Sequence, residues 1–275
     1  MTSNDCLRRE FLAAVTLLLP LLSFAADQPP SAQNNPIWLK LRVHLFQDRP
    51  INENGAKLIE LSAPARAEDA AVVPVAIRTL VAQTSERYIK TIHLILDNNP
   101  GPVAAVFHMT PESGRADIET RVRVEQYTHL RAVVEMNDGA LSMSTVYLKA
   151  SGGCSVPIGK ESSEPAISLG KIKLAADDHP KLNQTVMAQL MIRHPNLSGL
   201  AMNQLTRLYD SPHFVRKVEV AYAGKPVMTA DLDFSISENP HFRFYFTPKA
   251  EGLLTAQVQD SHDLSFSTAL KISPQ

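Results

Sequence analysis

From Leu58 onward, apolar side chains recur at every second position. Ile118, Thr120, Val122 and Val124 alternate with Glu119, Arg121, Arg123 and Glu125, which gives one apolar and one charged face. Ile92, Leu94 and Leu96 keep the same period before the turn Asn98-Asn99-Pro100-Gly101. Leu130, Ala132, Val134 and Met136 lead into Asn137-Asp138-Gly139, a hairpin-type turn, and then Leu141–Ala150. Short strands at this spacing, with no amphipathic helices between them, predict an antiparallel sandwich. Ahead of them Trp38–Phe46 carries two patterns. Trp38, Leu41 and Leu45 sit at helical spacing, while Leu39, Leu41, Val43 and Leu45 alternate. We read this segment as a short helix.

Ser151–Ser168 interrupts the alternation with Gly, Ser, Pro, Lys and Glu, which is linker composition. The two-residue period then resumes at Val186, Ala188, Leu190 and Ile192. Val218, Val220 and Tyr222 run into Ala223-Gly224-Lys225, and Phe242, Phe244 and Phe246 follow. Leu254, Ala256 and Val258 pair across Asp260–Asp263 with Leu264, Phe266, Thr268 and Leu270. The expected organisation is all-β: one sandwich over residues 26–150, a flexible arm over 151–168, and a second sandwich over 169–275.

Residues 1–25 read as a cleaved export signal. Arg8 and Arg9 precede the apolar run Phe11–Phe24, which is shorter than the roughly 20 residues a membrane-spanning helix needs. Ser23-Phe24-Ala25 fits a cleavage site after Ala25. Arg8-Arg9-Glu10-Phe11-Leu12 resembles a twin-arginine motif, with Leu7 in place of the usual hydroxyl residue, and the apolar Leu17–Leu22 region keeps the general secretory route as the alternative. The expected destination is a bacterial periplasm. Cleavage also removes Cys6 and leaves Cys154 without an internal disulfide partner.

Composition narrows the classes. With 44% hydrophobic and 20% charged residues the chain is globular, neither disordered nor multi-pass. A net charge of -1 offers no overall attraction to nucleic acid or to an anionic membrane. Two cysteines exclude a disulfide-dense scaffold and a four-cysteine zinc site.

The candidate chemistry lies in Ser151-Gly152-Gly153-Cys154-Ser155. Two glycines before the thiol remove side-chain bulk and widen the backbone's choices, which suits a thiol that must enter narrow sites on other proteins. The alternative is a buried, inert cysteine following the strand. Gly-Gly before and Ser-x-Pro after speak against burial, so the expectation is an exposed thiol that alkylates nearly as fast as a peptide thiol. The candidate attachment residue is Cys154, with Gly152, Gly153 and Ser155 as its arm.

No catalytic residue, cofactor or metal site is expected. Nine histidines show neither H-E-x-x-H nor paired Cys/His spacing. His194 and His241 are assigned to turns or domain contacts, and Arg115, Arg121 and Arg123 to a solvated strand face, with docking of an anionic cargo or partner as the alternative. Ser168-Leu169-Gly170-Lys171 matches S-x-x-K without the companion motifs of serine acyl-enzymes.

A family resemblance rests on longer text. Phe107-His108-Met109-Thr110-Pro111-Glu112-Ser113-Gly114-Arg115-Ala116, Val134-Glu135-Met136-Asn137-Asp138-Gly139 and Gly152-Gly153-Cys154 resemble SoxY, the carrier that holds its substrate on a cysteine in a Gly-Gly-Cys-Gly-Gly tail. Residues 169–275 resemble its partner SoxZ. The matching text is Gly170-Lys171-Ile172, His194-Pro195 with Gly199, Phe214-Val215, Ala230-Asp231-Leu232, and Ile236-Ser237-Glu238-Asn239-Pro240-His241-Phe242 with Phe244-Tyr245-Phe246. Fused in one chain, they are similar to the SoxYZ-like carriers associated with quinoprotein dehydrogenases.

The resemblance implies two immunoglobulin-like sandwiches that pair within the chain. It also implies a non-enzymatic carrier that holds a small, sulfur-containing group on Cys154 and presents it to periplasmic partner enzymes. Neither nucleic acid nor a membrane span of the mature chain is implied. Ser155 departs from the glycine after the cysteine, and the arm is followed by a second domain rather than ending the chain. The alternative function is a non-catalytic binding or assembly module of a quinoprotein dehydrogenase. A free-standing thiol enzyme is disfavoured, because no neighbouring residue is a convincing base or resolving cysteine.

Overall fold

The computed structural model describes residues 30–156, 168–202 and 206–275. The expected export signal over residues 1–25, with Cys6, and residues 157–167 of the expected arm lie outside them.

Helix α1 (Pro36–Phe46) starts where the Asn35 side chain accepts from the N–H groups of Ile37 and Trp38, with Pro36 in the first turn. The helical spacing prevails over the alternating one. Trp38 and Phe46 are buried against Ile95, Val133, Leu141 and Met143, with Leu41 and Leu45 packed alongside, while Leu39 and Val43 face solvent.

The first half continues with β1 (Ile51–Asn52), β2 (Ile59–Ser62), β3 (Val73–Thr79), β4 (Ile89–Leu96), β5 (Val103–Met109), β6 (Ile118–Val122), β7 (Thr128–Met136) and β8 (Leu141–Leu148). The second half holds β9 (Ile172–Ala176), β10 (Val186–Ile192), β11 (Val215–Tyr222), β12 (Lys225–Leu232), β13 (His241–Phe246), β14 (Gly252–Asp260) and β15 (Ser265–Ile272). These strands form two sheets. One has nine strands in the order β1-β8-β7-β4-β5-β12-β11-β14-β15, and the other has six in the order β2-β3-β6-β13-β10-β9. All pairings are antiparallel except the two-residue β1–β8 contact.

Both sheets run through both halves. β5 pairs with β12 from Met109 opposite Met228 to Ala105 opposite Leu232, and β6 meets β13 at Glu119 opposite Arg243. Each of these strands would otherwise be an edge with unpaired N–H and C=O groups. One core therefore serves the whole body. Phe107 from the first half packs edge-on against Phe242 from the second, with ring centroids 6.1 Å apart, and both rings are fully buried. The expectation of two halves packed as one body is met, and the joint between them is a pair of continuous sheets.

A fully buried charged pair sits under α1. Arg131 on β7 donates from Nε and a terminal nitrogen to both oxygens of Asp97, each at 2.7 Å, and its guanidinium lies 4.4 Å from the centre of the Trp38 ring. Both side chains are sealed from water.

Candidate functional site

The Gly-Gly-Cys segment is seated at the junction of the two halves. The Gly152 and Gly153 N–H groups donate to the carbonyls of Glu125 and Val124, both at 2.9 Å. Gly152 has φ +83°, in the region that favours glycine. At Gly153 a Cβ would overlap the Ala70 carbonyl, so only glycine lets the chain lie this close. The Ser155 N–H donates back to the Gly152 carbonyl at 3.1 Å and closes a tight turn around the thiol.

Glu125 clamps that turn. One carboxylate oxygen accepts from the Cys154 N–H at 2.9 Å and the other from the Ser155 hydroxyl at 2.7 Å. From the second half, the Ser198 hydroxyl donates to the Cys154 carbonyl at 2.6 Å. Asn99 lies beneath the sulfur, its amide nitrogen 3.9 Å from Sγ. The same side chain binds the Arg123 carbonyl and the Ser235 hydroxyl, and it accepts from the Glu125 N–H.

Cys154 is 1% exposed. Burial pushes its thiol up to about 12; Glu125 and Asp233 push the same way, and Arg123 opposes them. A thiol held there stays protonated at neutral pH and is a poor nucleophile. The exposed, freely reacting thiol expected from its neighbours in sequence is therefore corrected. Gly-Gly removes bulk here so that the segment can lie against Ala70, rather than only to keep an arm mobile.

Arg123 is a second correction. β6 ends at Val122, and the next side chain turns inward instead of extending a solvated face. It is buried and donates to the carbonyls of Asn196, Pro195, Phe234 and Ile236. Arg115 and Arg121 are exposed as expected; Arg115 pairs with Asp117 at 2.7 Å and lies over Tyr245.

His194 helps to build the loop that carries Asn196 and Ser198, which fits its assignment to a turn. Among the described residues one group could hold a metal ion: His194, His213 and Asp260, with ligand atoms within 4.8 Å of one another. Sequence spacing concealed it, because the three come from separate segments. Its hydrogen bonds suit protons better than an ion. His194 Nδ1 accepts from the Asn196 N–H at 3.0 Å, so the neutral ring carries its proton on Nε2, facing Asp260 at 3.5 Å. His213 Nε2 lies 2.7 Å from the same carboxylate oxygen.

Burial and the neighbouring His213 lower His194 to about 4. This group therefore favours the folded state fully above its unfolded value of about 6.5, and that contribution is lost as pH falls from about 6.5 towards 4. The thermal midpoint should drop over that range. His194→Gln, which can still donate to Asp260 but cannot titrate, should flatten the drop; an unchanged pH profile would refute this assignment.

Comparison with known proteins bears on this junction. Residues 42–154 match the family model described as "Sulfur oxidation protein SoxY", and residues 172–271 match "Sulphur oxidation protein SoxZ". The chain carries a SoxY domain and a SoxZ domain in tandem. Its fold is also similar to the structure of the sulfur carrier protein SoxY from Chlorobium limicola f thiosulfatophilum, at 25% identity over 40% of this chain and 89% of that one, with a TM-score of 0.34. A superoxide reductase (neelaredoxin) from Ignicoccus hospitalis matches at 19% identity over 46% of this chain and 100% of that one, with a TM-score of 0.30. No curated protein matches the chain.

SoxY and SoxZ are carrier proteins of sulfur oxidation, not catalysts. In the tandem protein the SoxY match ends at Cys154 itself. The SoxY domain supplies Ala70, Asn99, Arg123 and Glu125 to the seat of the thiol, and the SoxZ domain supplies Asn196, Ser198 and Ser235. None of these was legible as part of the thiol's seat. Asn99 stood in a turn motif, and Glu125 closed a run of strand alternation.

Proposed function

We propose that this protein is an exported covalent carrier in which Cys154 holds a small sulfur-containing group and presents it to partner enzymes. The observation that carries the reading is the placement of Gly152-Gly153-Cys154 at the end of the SoxY domain, seated between the two domains by hydrogen bonds to a short turn. Five bonds hold the turn: three from the N–H groups of residues 152–154, one from Ser155 and one from Ser198. At a net 0.5–1.5 kcal/mol each, they amount to about a few kcal/mol, a gap that leaves a minor undocked population. Docked, the thiol is shielded and protonated. Undocked, it regains an ordinary thiolate fraction and can react.

Joining that thiolate to a sulfur anion through an S–S bond releases two electrons, so an oxidising partner enzyme must accept them. Attack of a partner's thiolate on the outer sulfur then breaks the S–S bond to Cys154, carries the cargo to the partner and releases the Cys154 thiolate, with no net change of oxidation state. The SoxZ domain contributes Ser198 to the turn and Asn196 and Ser235 behind it, which supports a role for the fusion in guarding the thiol between partners. The residues 1–25 signal and the twin-arginine motif support export to the periplasm.

The burial of Cys154 favours a second reading, a binding or assembly module of a quinoprotein dehydrogenase in which the cysteine is merely core. Cys154→Ser separates the two in cells. The carrier reading expects oxidation of the reduced sulfur compound to be abolished, while the folded protein accumulates normally. Full activity of the variant would establish the module instead.

A further inference from the structure

The outward face of the six-stranded sheet holds a basic groove. Alternation on β9, β10 and β13 sends Ile172, Leu190, Phe242 and Phe244 inward and Lys171, Lys173, Gln189, Met191, His241 and Arg243 outward. Register aligns them in rows. Lys173 stands opposite Met191, which stands opposite His241; Gln189 stands opposite Arg243, which stands opposite Glu119. Arg121 projects from β6 beside them, and Arg193 closes the end.

The resulting cavity of about 660 Å³ is lined by Arg121, Lys171, Lys173 and Arg243 with His241, and among the described residues no carboxylate is part of that lining. Glu119 flanks it and pairs with Arg243 at 2.8 Å. Burial first, and then the charges of Arg121 and Arg243, lower His241 from its ordinary value, with Glu119 opposing them. The chain as a whole carries a net charge of -1, so this positive charge is segregated rather than general.

The floor is Met191, Ile192 and Gln189, which offers no aromatic platform for bases to stack on. The groove's end also adjoins the thiol seat. The Ser237 N–H donates to the Arg121 carbonyl at 3.1 Å, the Arg123 N–H to the Ser235 carbonyl at 2.8 Å, and the Asn239 N–H to the His194 carbonyl at 2.8 Å. The loops that border the groove are thus the loops that hold Cys154.

From this juxtaposition we infer that the groove is the docking site for an acidic segment of a partner protein, seated so that its reactive site faces the arm. The partner's role rests on the carrier reading; the binding itself does not require the thiol. Opposite charges would steer the encounter and fix its register, and the interaction would weaken with salt.

The test uses the full chain, a fluorescein-labelled octaglutamate peptide and fluorescence anisotropy at about 25 mM and 250 mM NaCl. The peptide should bind the wild type at low salt. Combined Arg121→Glu, Lys171→Glu and Lys173→Glu should weaken it at least about tenfold. Lys171→Gln with Lys173→Gln should act in the same direction and serves if the triple variant melts early. Cys154→Ser should leave the affinity unchanged, which keeps this outcome distinct from the fate of the carrier reading. Equal peptide binding by wild type and charge variants would overturn the inference. So would competition by sulfate but not by chloride at equal ionic strength, which would mark a small-anion site. Stronger, reversal-sensitive binding of single-stranded DNA or of phosphatidylglycerol vesicles than of the peptide would overturn it as well.

Discussion

Gly153→Ala is expected to expel Cys154 from its seat and raise its alkylation rate by about a hundredfold or more. The new Cβ would overlap the Ala70 carbonyl and approach the Val124 nitrogen to 2.9 Å. Neither can yield easily, because the Val124 N–H donates to that same carbonyl at 2.8 Å. In the wild type the thiol is pushed from an ordinary 9.0 to about 12. A tenfold loss of thiolate per unit makes the docked form roughly a thousandfold less reactive than a peptide thiol, before any steric shielding. Iodoacetamide kinetics at neutral pH therefore read the docking equilibrium. Glu125→Gln, which weakens the clamp without a clash, should act in the same direction by roughly tenfold. Peptide-like reactivity in the wild type, or unchanged slow reactivity in Gly153→Ala, would show that the seat does not control the thiol.

The largest loss of stability is expected from Arg131→Met. Asp97 accepts two bonds of 2.7 Å from Arg131 and is 0% exposed. Removing the guanidinium leaves a buried carboxylate whose nearest remaining basic group is His129 at 4.0 Å. Breaking such a pair from one side costs about 3–5 kcal/mol. For a body of this size that is a fall of about 10 °C in the thermal midpoint. Loss of the bond from Arg131 to the Ala32 carbonyl, 2.6 Å, and of the stacking on Trp38 would also loosen α1. Adding Asp97→Asn should recover part of the loss, because the orphaned charge is then gone. A drop below about 1 kcal/mol in Arg131→Met would mean that the pair is dispensable.

The strands were legible because burial on one face of a sheet imposes a period of two, and Phe242, Phe244 and Phe246 or Ile118, Thr120 and Val122 display it directly. The helix was legible only in part, since Trp38–Phe46 satisfies both periods; the cap at Asn35 and the burial of Trp38 and Phe46 decide it. What the pattern could not convey was partnership. β5 and β12 alternate like any strand, and nothing in either says that each covers the other's open edge. Cys154 shows the same limit at the site. Local composition announced a mobile arm, whereas its burial depends on Ala70, Asn99, Glu125 and Ser198, residues distant in sequence. Arg123 continued a charged strand face in the sequence, yet it turns inward because the strand stops one residue earlier.

The central claim, that Cys154 carries cargo, is tested most directly by the mass of the protein itself. It should be purified without reductant from cells oxidising a reduced sulfur compound, weighed intact, and mapped by peptide. The account predicts an added mass on the peptide containing Cys154 that a reducing agent removes and that Cys154→Ser never shows. An unmodified Cys154 under every growth condition would contradict it.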